Sequence, residues 1–183
     1  MVGWDETAGL NPRGTVVVLT GRGEDPSLYE RLGRRLSADA WRVRITDGHD
    51  DESVRAQVVA VLDHPAVVAP VVLLGSDTGA ARAVRLAAQL DVRGVVLGGL
   101  LPTGGGTASF ADFDDELAAR TSCPSHRARL TADASFTRNA LAVTLSPADV
   151  ETPLAQVGVP VLALHGAADT IAPVDDAVAR YRS

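Results

Sequence analysis

The sequence predicts an α/β protein in which a parallel sheet lies between layers of helices. Short apolar runs alternate with longer segments of helical periodicity along most of the 183 residues. Strands that alternate with helices form right-handed crossovers and a parallel sheet. The runs are apolar at nearly every position, which is typical of strands buried on both faces. The length suits one domain.

The first elements follow in order. Residues 15–19 are β-branched or apolar and are bounded by glycines, which predicts a strand. Asp25 followed by Pro26 predicts a helix start, because aspartate is a favoured N-cap and proline a favoured first helical residue. Leucines at positions 28, 32 and 36 form the buried stripe of that helix. Residues 41–45 predict the second strand.

The same alternation continues along the chain. The remaining expected elements are a helix capped by Asp50 or Asp51, a strand at 67–74, a helix at 78–90, strands at 92–97 and 159–164, and a final helix that starts with residues 174–181. The predicted core comprises residues 1–100 and 158–183. Residues 101–157 are expected to form a helical insertion, with helices near 111–120 and 125–145. Because this insertion follows a strand at its carboxyl end, we expect it to act as a lid over the ligand crevice.

Composition excludes several functional classes. The net charge is −6 and all 17 basic residues are arginine. An acidic chain without a basic patch argues against nucleic acid as a partner. The lack of lysine excludes Schiff-base chemistry and a lysine-dependent phosphate loop. No apolar stretch suits a membrane span or a secretory signal. One cysteine, Cys123, favours a reducing cytoplasm.

A glycine-flanked aspartate follows the third predicted strand. The segment Gly75-Ser76-Asp77-Thr78-Gly79 joins this strand to a helix. Its spacing is that of a nucleophile elbow, in which small flanking residues allow a sharp turn. The central side chain is then presented at a helix N-terminus, where negative charge is stabilised. Asp77 is therefore a candidate reactive group, and a plain helix cap is the structural alternative.

With this segment, the chain resembles the α/β-hydrolase family from about Gly14 to its end. Residues 19–24, Leu-Thr-Gly-Arg-Gly-Glu, stand where the family has its oxyanion loop. Residues 164–173, Leu-His-Gly-Ala-Ala-Asp-Thr-Ile-Ala-Pro, match the family's Leu-His-Gly-x-x-Asp-x-x-x-Pro segment. The resemblance implies an α/β-hydrolase-like sheet with Asp77 at the nucleophile position and Asp169 as triad acid. It places the oxyanion site at Gly21 and at the amides of Arg22 and Thr78.

The sequence departs from the family pattern at three points. Asp77 replaces the usual serine, Thr20 replaces the histidine of the oxyanion loop, and Ser183 is reached before the family's last strand, helix and catalytic histidine. A longer natural chain, a different base and an inert site are all compatible with this pattern. We expect a sheet lacking that strand and helix, with the fifth predicted strand at an unpaired edge. Homodimerisation or aggregation along this edge is expected.

Two histidines are candidates for the missing base. His165 lies near Asp169 in the fifth strand's motif, and His126 lies in the predicted lid. A supporting position beside the site and a solvated surface position are the respective structural alternatives. Cys123 and His126 lack a second ligand pair, so no metal site is expected. No cofactor is expected either.

The sequence supports an enzyme acting on an ester, lactone, thioester or related small molecule, with Asp77 as nucleophile or base. One alternative is a lyase or isomerase that uses Asp77 as base. Another is a truncated or inactive member of the fold that binds a ligand or partner. Haloalkane dehalogenase and epoxide hydrolase substrates are not supported, since Thr78 rather than tryptophan follows Asp77 and the lid lacks tyrosine. The phenylalanines at 110, 113 and 136 are expected to line the pocket or to pack the lid onto the body.

Overall fold

Six strands form one sheet in the order β1-β3-β2-β4-β5-β6 in the computed structural model, which describes residues 1–105, 107–151 and 154–182. The strands are β1 (Val2–Trp4), β2 (Gly14–Leu19), β3 (Trp41–Ile45), β4 (Val71–Ser76), β5 (Gly94–Gly98) and β6 (Val161–Leu164). All neighbours pair in parallel except β1, which is antiparallel to β3. The predicted parallel sheet is confirmed. Strand β1 was not predicted.

Helices cover both faces of this sheet. The α-helices of the described residues are α1 (Glu30–Ala38), α2 (Asp51–Leu62), α3 (Thr78–Ala87), α4 (Phe113–Arg120), α5 (Pro124–Ala132), α6 (Pro147–Glu151) and α7 (Val174–Tyr181). Helices α2 and α3 contribute to a buried cluster on one face of the central strands, and α1 packs on the opposite face. Among the described residues, no helix is both long and apolar enough to cross a membrane.

Strand β2 shows why the sheet is buried on both faces. Val17 and Leu19 are fully buried in the cluster that includes α2 and α3. Val16 and Val18 are buried with residues of β3 and α1. Since successive side chains of a strand point to opposite faces, an unbroken apolar run fills two cores at once.

Several predicted boundaries were wrong, for local reasons. Asp25 caps a 3-10 turn, Pro26–Tyr29, and α1 begins only after it. The strand predicted from residue 67 begins at Val71, because Pro70 has no N–H to donate to a sheet. The fourth and fifth predicted strands also begin two residues late, at Gly94 and Val161. The helix predicted to reach residue 90 ends at Ala87.

Helices α4, α5 and α6 lie between β5 and β6, within residues 101–157. The single helix predicted over 125–145 was wrong, since α5 ends at Ala132. Leu117, Leu130 and Phe136 form a small buried core there, and Leu28 and Phe113 pack against it. Leu28 belongs to the 3-10 turn before α1, so this core attaches the insertion to the body. Phe113 and Phe136 therefore serve packing.

Candidate active site

The turn between β4 and α3 holds Asp77 in an unusual backbone conformation. Its φ is 53° and its ψ is −120°, in the left-handed half of conformational space. Its N–H donates to the carbonyl of Gly98 at 3.0 Å, which ties the turn to the end of β5. Side chains other than glycine adopt such values rarely and at a cost of about 1–3 kcal/mol. The surrounding contacts must therefore hold the residue in place.

Two glycines make this sharp turn sterically feasible. A Cβ atom at Gly75 would lie 2.1 Å from the carbonyl oxygen of Gly79. A Cβ atom at Gly79 would lie 2.2 Å from the carbonyl oxygen of Leu19. Both obstacles are backbone atoms that cannot rotate away. The Gly-x-Asp-x-Gly spacing is thus a packing requirement, whether or not Asp77 takes part in a reaction.

The carboxylate of Asp77 is bound by Arg22, which lies in the loop after β2. Arg22 donates from Nε to Oδ2 and from Nη2 to Oδ1, at 2.8 Å each. Its backbone N–H also donates to Oδ2, at 3.0 Å. Bidentate arginine–carboxylate pairs are among the stronger hydrogen-bonded contacts in proteins. From the sequence only the amide of Arg22 was predicted to lie here; the contact of its guanidinium with Asp77 was not predicted.

Arg22 also reaches the helical insertion. Its Nη1 donates to the carbonyl of Leu141 at 3.3 Å, and the residue is only 8% exposed. The neighbouring Thr137 N–H donates to the carbonyl of Gly23 at 2.9 Å. The loop after β2 is therefore held between the aspartate turn on one side and the insertion on the other.

Glu24 and Tyr29 brace this loop, and neither was predicted to belong to the site. Oε2 of Glu24 accepts from the N–H of Gly21 at 2.8 Å and from the hydroxyl of Tyr29. Burial and the adjacent Glu24 carboxylate raise the pKa of Tyr29 well above its ordinary value. Tyr29 therefore stays protonated and donating at neutral pH. The only sequence signal for Glu24 was its position three residues after Gly21.

Asp169 and His165 meet after β6, but their geometry is largely local. Oδ1 of Asp169 accepts from the N–H groups of Ile171 and Ala172, at 2.9 and 2.8 Å. Its Oδ2 lies 3.7 Å from Nε2 of His165. The Nε2–H group of His165 donates to the carbonyl of Ala172. Nδ1 of His165 is buried and has no hydrogen-bond partner among the described residues.

A cleft of about 580 Å³ brings some of the predicted residues together. Asp77 and Asp169 both line it, and His126 of α5 contributes from the insertion. The polar part of its lining includes Glu24, Ser76 and Arg120. The apolar part includes Leu101, Leu130, Leu141 and Ile171. The cleft thus combines a turn-mounted carboxylate, a second carboxylate and an exposed histidine with room for a small molecule.

Other predicted residues lie elsewhere. Gly21, Arg22 and Thr78 line a neighbouring cavity of about 300 Å³. His165 is not among the described residues that line the 580 Å³ cleft, so His126 is the better-placed histidine. Nowhere in residues 1–105, 107–151 and 154–182 do three His, Cys, Asp or Glu side chains group closely enough to hold a metal ion.

Comparisons with known proteins identify the fold. The sequence matches no protein-family model, and a search of curated proteins returned no match. Among solved structures, a monoacylglycerol lipase from Paleococcus ferrophilus superposes with a TM-score of 0.71 at 19% identity, over 100% of this chain and 84% of that one. A monoglyceride lipase from Saccharomyces cerevisiae gives 0.70 at 16% identity, over 98% and 77%. An enol-lactonase from Burkholderia xenovorans gives 0.63 at 19%, over 94% and 79%. The chain has the α/β-hydrolase fold.

Proposed function

Starting from this α/β-hydrolase fold, we propose that the protein hydrolyses a small ester-like molecule, with Asp77 as its reactive group. The observation that carries the proposal is the placement of Asp77, on a backbone turn at φ 53° in the wall of a cleft of about 580 Å³. Structures similar to this chain include lipases, a thioesterase and an enol-lactonase. They support an ester, thioester or lactone as substrate class. No cofactor is required.

The two carboxylate oxygens of Asp77 accept different numbers of hydrogen bonds, which supports different roles for them. Oδ2 accepts from both the amide and the Nε of Arg22, whereas Oδ1 accepts from Nη2. A carboxylate oxygen with one donor keeps a lone pair for a second partner. Oδ1 is therefore the oxygen available to a substrate or a water molecule in the cleft.

Two uses of Oδ1 follow from this geometry. As general base, it takes a proton from a water molecule whose oxygen attacks the ester carbonyl, and the proton then passes to the departing alkoxide. As nucleophile, it attacks the carbonyl carbon itself; the alkoxide leaves and takes a proton from water, and a second water hydrolyses the acyl-aspartyl anhydride. His126 lines the same cleft, which supports it as the histidine that assists either step.

A panel of p-nitrophenyl esters, a thioester and a lactone tests the proposal. Wild-type protein is expected to turn over at least one substrate, and Asp77→Asn to lose ~100-fold or more, as for loss of a general base or nucleophile. Asp175→Asn, on the exposed start of α7, is the matched control and should keep full activity. Equal activity of Asp77→Asn and wild type would overturn the role of Asp77. A single turnover in ¹⁸O-water adds a test of the nucleophilic mechanism, because Asp77 acquires the label only when it has formed the anhydride and water attacks the aspartyl carbon.

A second candidate, a ligand-binding protein without catalysis, is favoured by the Arg22–Asp77 pair. Both carboxylate oxygens of Asp77 accept a hydrogen bond from a guanidinium that is almost fully buried. A group so tightly bound is also well suited to a purely structural role. For this candidate, the same panel gives no turnover, while a substrate or its product raises the melting temperature through linkage.

A further inference from the structure

Glu24 lies beside Asp77 in the wall of the cleft, and consecutive backbone N–H groups hold the two carboxylates. The N–H of Gly21 donates to Oε2 of Glu24 at 2.8 Å. The next N–H, that of Arg22, donates to Oδ2 of Asp77 at 3.0 Å. A Cβ atom at Gly21 would lie 2.9 Å from Oε2 of Glu24 and 3.0 Å from Cβ of Asp77, so one methyl group would touch both side chains. Both residues line the cleft of about 580 Å³.

The two carboxylate oxygens of Glu24 have different surroundings. Oε2 accepts from the N–H of Gly21 and from the hydroxyl of Tyr29. Oε1 accepts no hydrogen bond from any residue in the ranges that the structure describes. Because each carboxylate oxygen has lone pairs for more than one donor, Oε1 is available to a water molecule. Glu24 thus has one oxygen that fixes its position in the loop and one that is open to the cleft's solvent.

The nucleophilic use of Asp77 creates a need for such a group. Once Asp77 carries an acyl group its carboxylate is part of the anhydride, so it cannot also serve as the base for the next step. Arg22 stays protonated and has no lone pair to accept a proton. His126 enters the cleft from α5 in the insertion, whereas Glu24 is fixed by the same loop that binds Asp77. Glu24 is therefore the proton acceptor placed next to the reacting group.

We propose that Oε1 of Glu24 is the base that activates water for hydrolysis of the acyl-Asp77 anhydride. This inference rests on the proposed function, in the form in which Asp77 is the nucleophile. Oε1 takes one proton from water while the water oxygen bonds to a carbonyl carbon of the anhydride. The bond from that carbon to the bridging oxygen breaks, which frees one carboxylate and one carboxylic acid. The acid and Glu24 then release their protons to solvent.

One substitution separates the structural role of Glu24 from this catalytic role, because the two roles use different oxygens. The amide oxygen of Glu24→Gln can keep the bonds from Gly21 and Tyr29, and its NH2 group, in place of Oε1, accepts no proton. Asp25→Asn is the matched control, since it makes the same change from acid to amide at the next position. Asp25 caps the 3-10 turn that follows, and asparagine is an equally good cap.

Rapid-quench kinetics with a p-nitrophenyl ester tests the inference. Wild type and Asp25→Asn should turn over steadily. Glu24→Gln should release about one equivalent of p-nitrophenol and then slow by ~100-fold or more, because acylation proceeds and hydrolysis lacks its base. The intact mass of acid-quenched Glu24→Gln should exceed that of the free protein by one acyl group. Adding Asp77→Asn to this variant should remove both the burst and the added mass.

Azide distinguishes a missing base from a displaced active site. Azide attacks without losing a proton, so in Glu24→Gln it should bond to the acyl carbon, free the Asp77 carboxylate and restore turnover. Steady turnover of Glu24→Gln at the wild-type rate would overturn the role of Glu24 and leave that of Asp77 intact. Loss of activity without a burst or an acyl adduct would overturn it as well. A wild type that turns over no ester would contradict the proposed function, and this inference with it.

Discussion

Arg22 donates hydrogen bonds to both carboxylate oxygens of Asp77, from Nε to Oδ2 and from Nη2 to Oδ1, at 2.8 Å each. The two residues lie in loops that follow neighbouring parallel strands, β2 and β4. The carboxyl ends of such strands meet at one edge of the sheet, where ligands bind in open α/β folds. The pair therefore ties the loop after β2 to the turn that places Asp77 in the wall of the 580 Å³ cleft.

Arg22→Ala should destabilise the fold markedly. The side chain of Arg22 is almost fully buried and that of Asp77 mostly so, hence the variant leaves a carboxylate without its cationic partner. Breaking a buried pair costs about 3–5 kcal/mol, and the partial exposure of Asp77 reduces this to about 2–4 kcal/mol. Urea unfolding measures the change. Arg93→Ala, which removes a pair exposed to solvent, should change the unfolding free energy by less than about 1 kcal/mol. Equal effects of the two variants would contradict the structural role of Arg22.

Gly79→Ala should destabilise the protein, although alanine is the better helix former. Helix propensity favours alanine by about 1 kcal/mol, but overpacking against fixed atoms costs about 1–3 kcal/mol or more. The new Cβ would lie 2.2 Å from the Leu19 carbonyl oxygen, so we expect a net loss. Gly94→Ala is the control, since its nearest neighbour, the Pro160 carbonyl oxygen, is 3.6 Å away. Thermal unfolding of both variants checks this, and a Gly79→Ala protein as stable as Gly94→Ala would disprove the tight turn.

Stability should fall in acid, partly through the amino-terminal segment. Hydrogen bonds from Arg42 lower the pKa of Glu6 to about 2, from an ordinary value of 4.5. Because the folded-state pKa is the lower one, the stabilisation is present above pH 4.5 and is lost as the pH falls toward 2. Glu6→Gln should therefore show a smaller drop in melting temperature between neutral pH and this range. Glu52→Gln is the exposed control, and an acid sensitivity of Glu6→Gln as large as that of wild type would refute the assignment.

The regular part of the fold was predictable because its signals are local. The valine-rich run of β2 is typical of a doubly buried strand, and the start of α7 at Val174 was predicted correctly. Strand β1 was missed because three residues carry no pattern of their own and depend on pairing with β3. The insertion was predicted less well, since Asp133 and the segment after it end α5 by turn contacts that propensity does not reveal.

In the candidate site, too, local features were predictable from the sequence and tertiary contacts were not. The glycine spacing around Asp77 was visible in the sequence, because the tight backbone turn leaves no room for a Cβ atom at Gly75 or Gly79. The contact between the Arg22 side chain and Asp77, fifty-five positions apart in the sequence, could not be predicted. A long side chain has many rotamers, and tertiary contacts select among them. Tyr29 was missed for the same reason, since its partner Glu24 is brought near only by the 3-10 turn.

The bond between Arg22 and the Leu141 carbonyl limits how this cleft could be redesigned. Replacing Asp77 with serine, to install a hydroxyl nucleophile, would leave an enclosed cation facing one neutral acceptor. A conversion to serine chemistry therefore has to alter positions 22 and 77 together, with an uncharged side chain of similar volume at the former. In protein engineering, residues 22 and 77 would have to be substituted together.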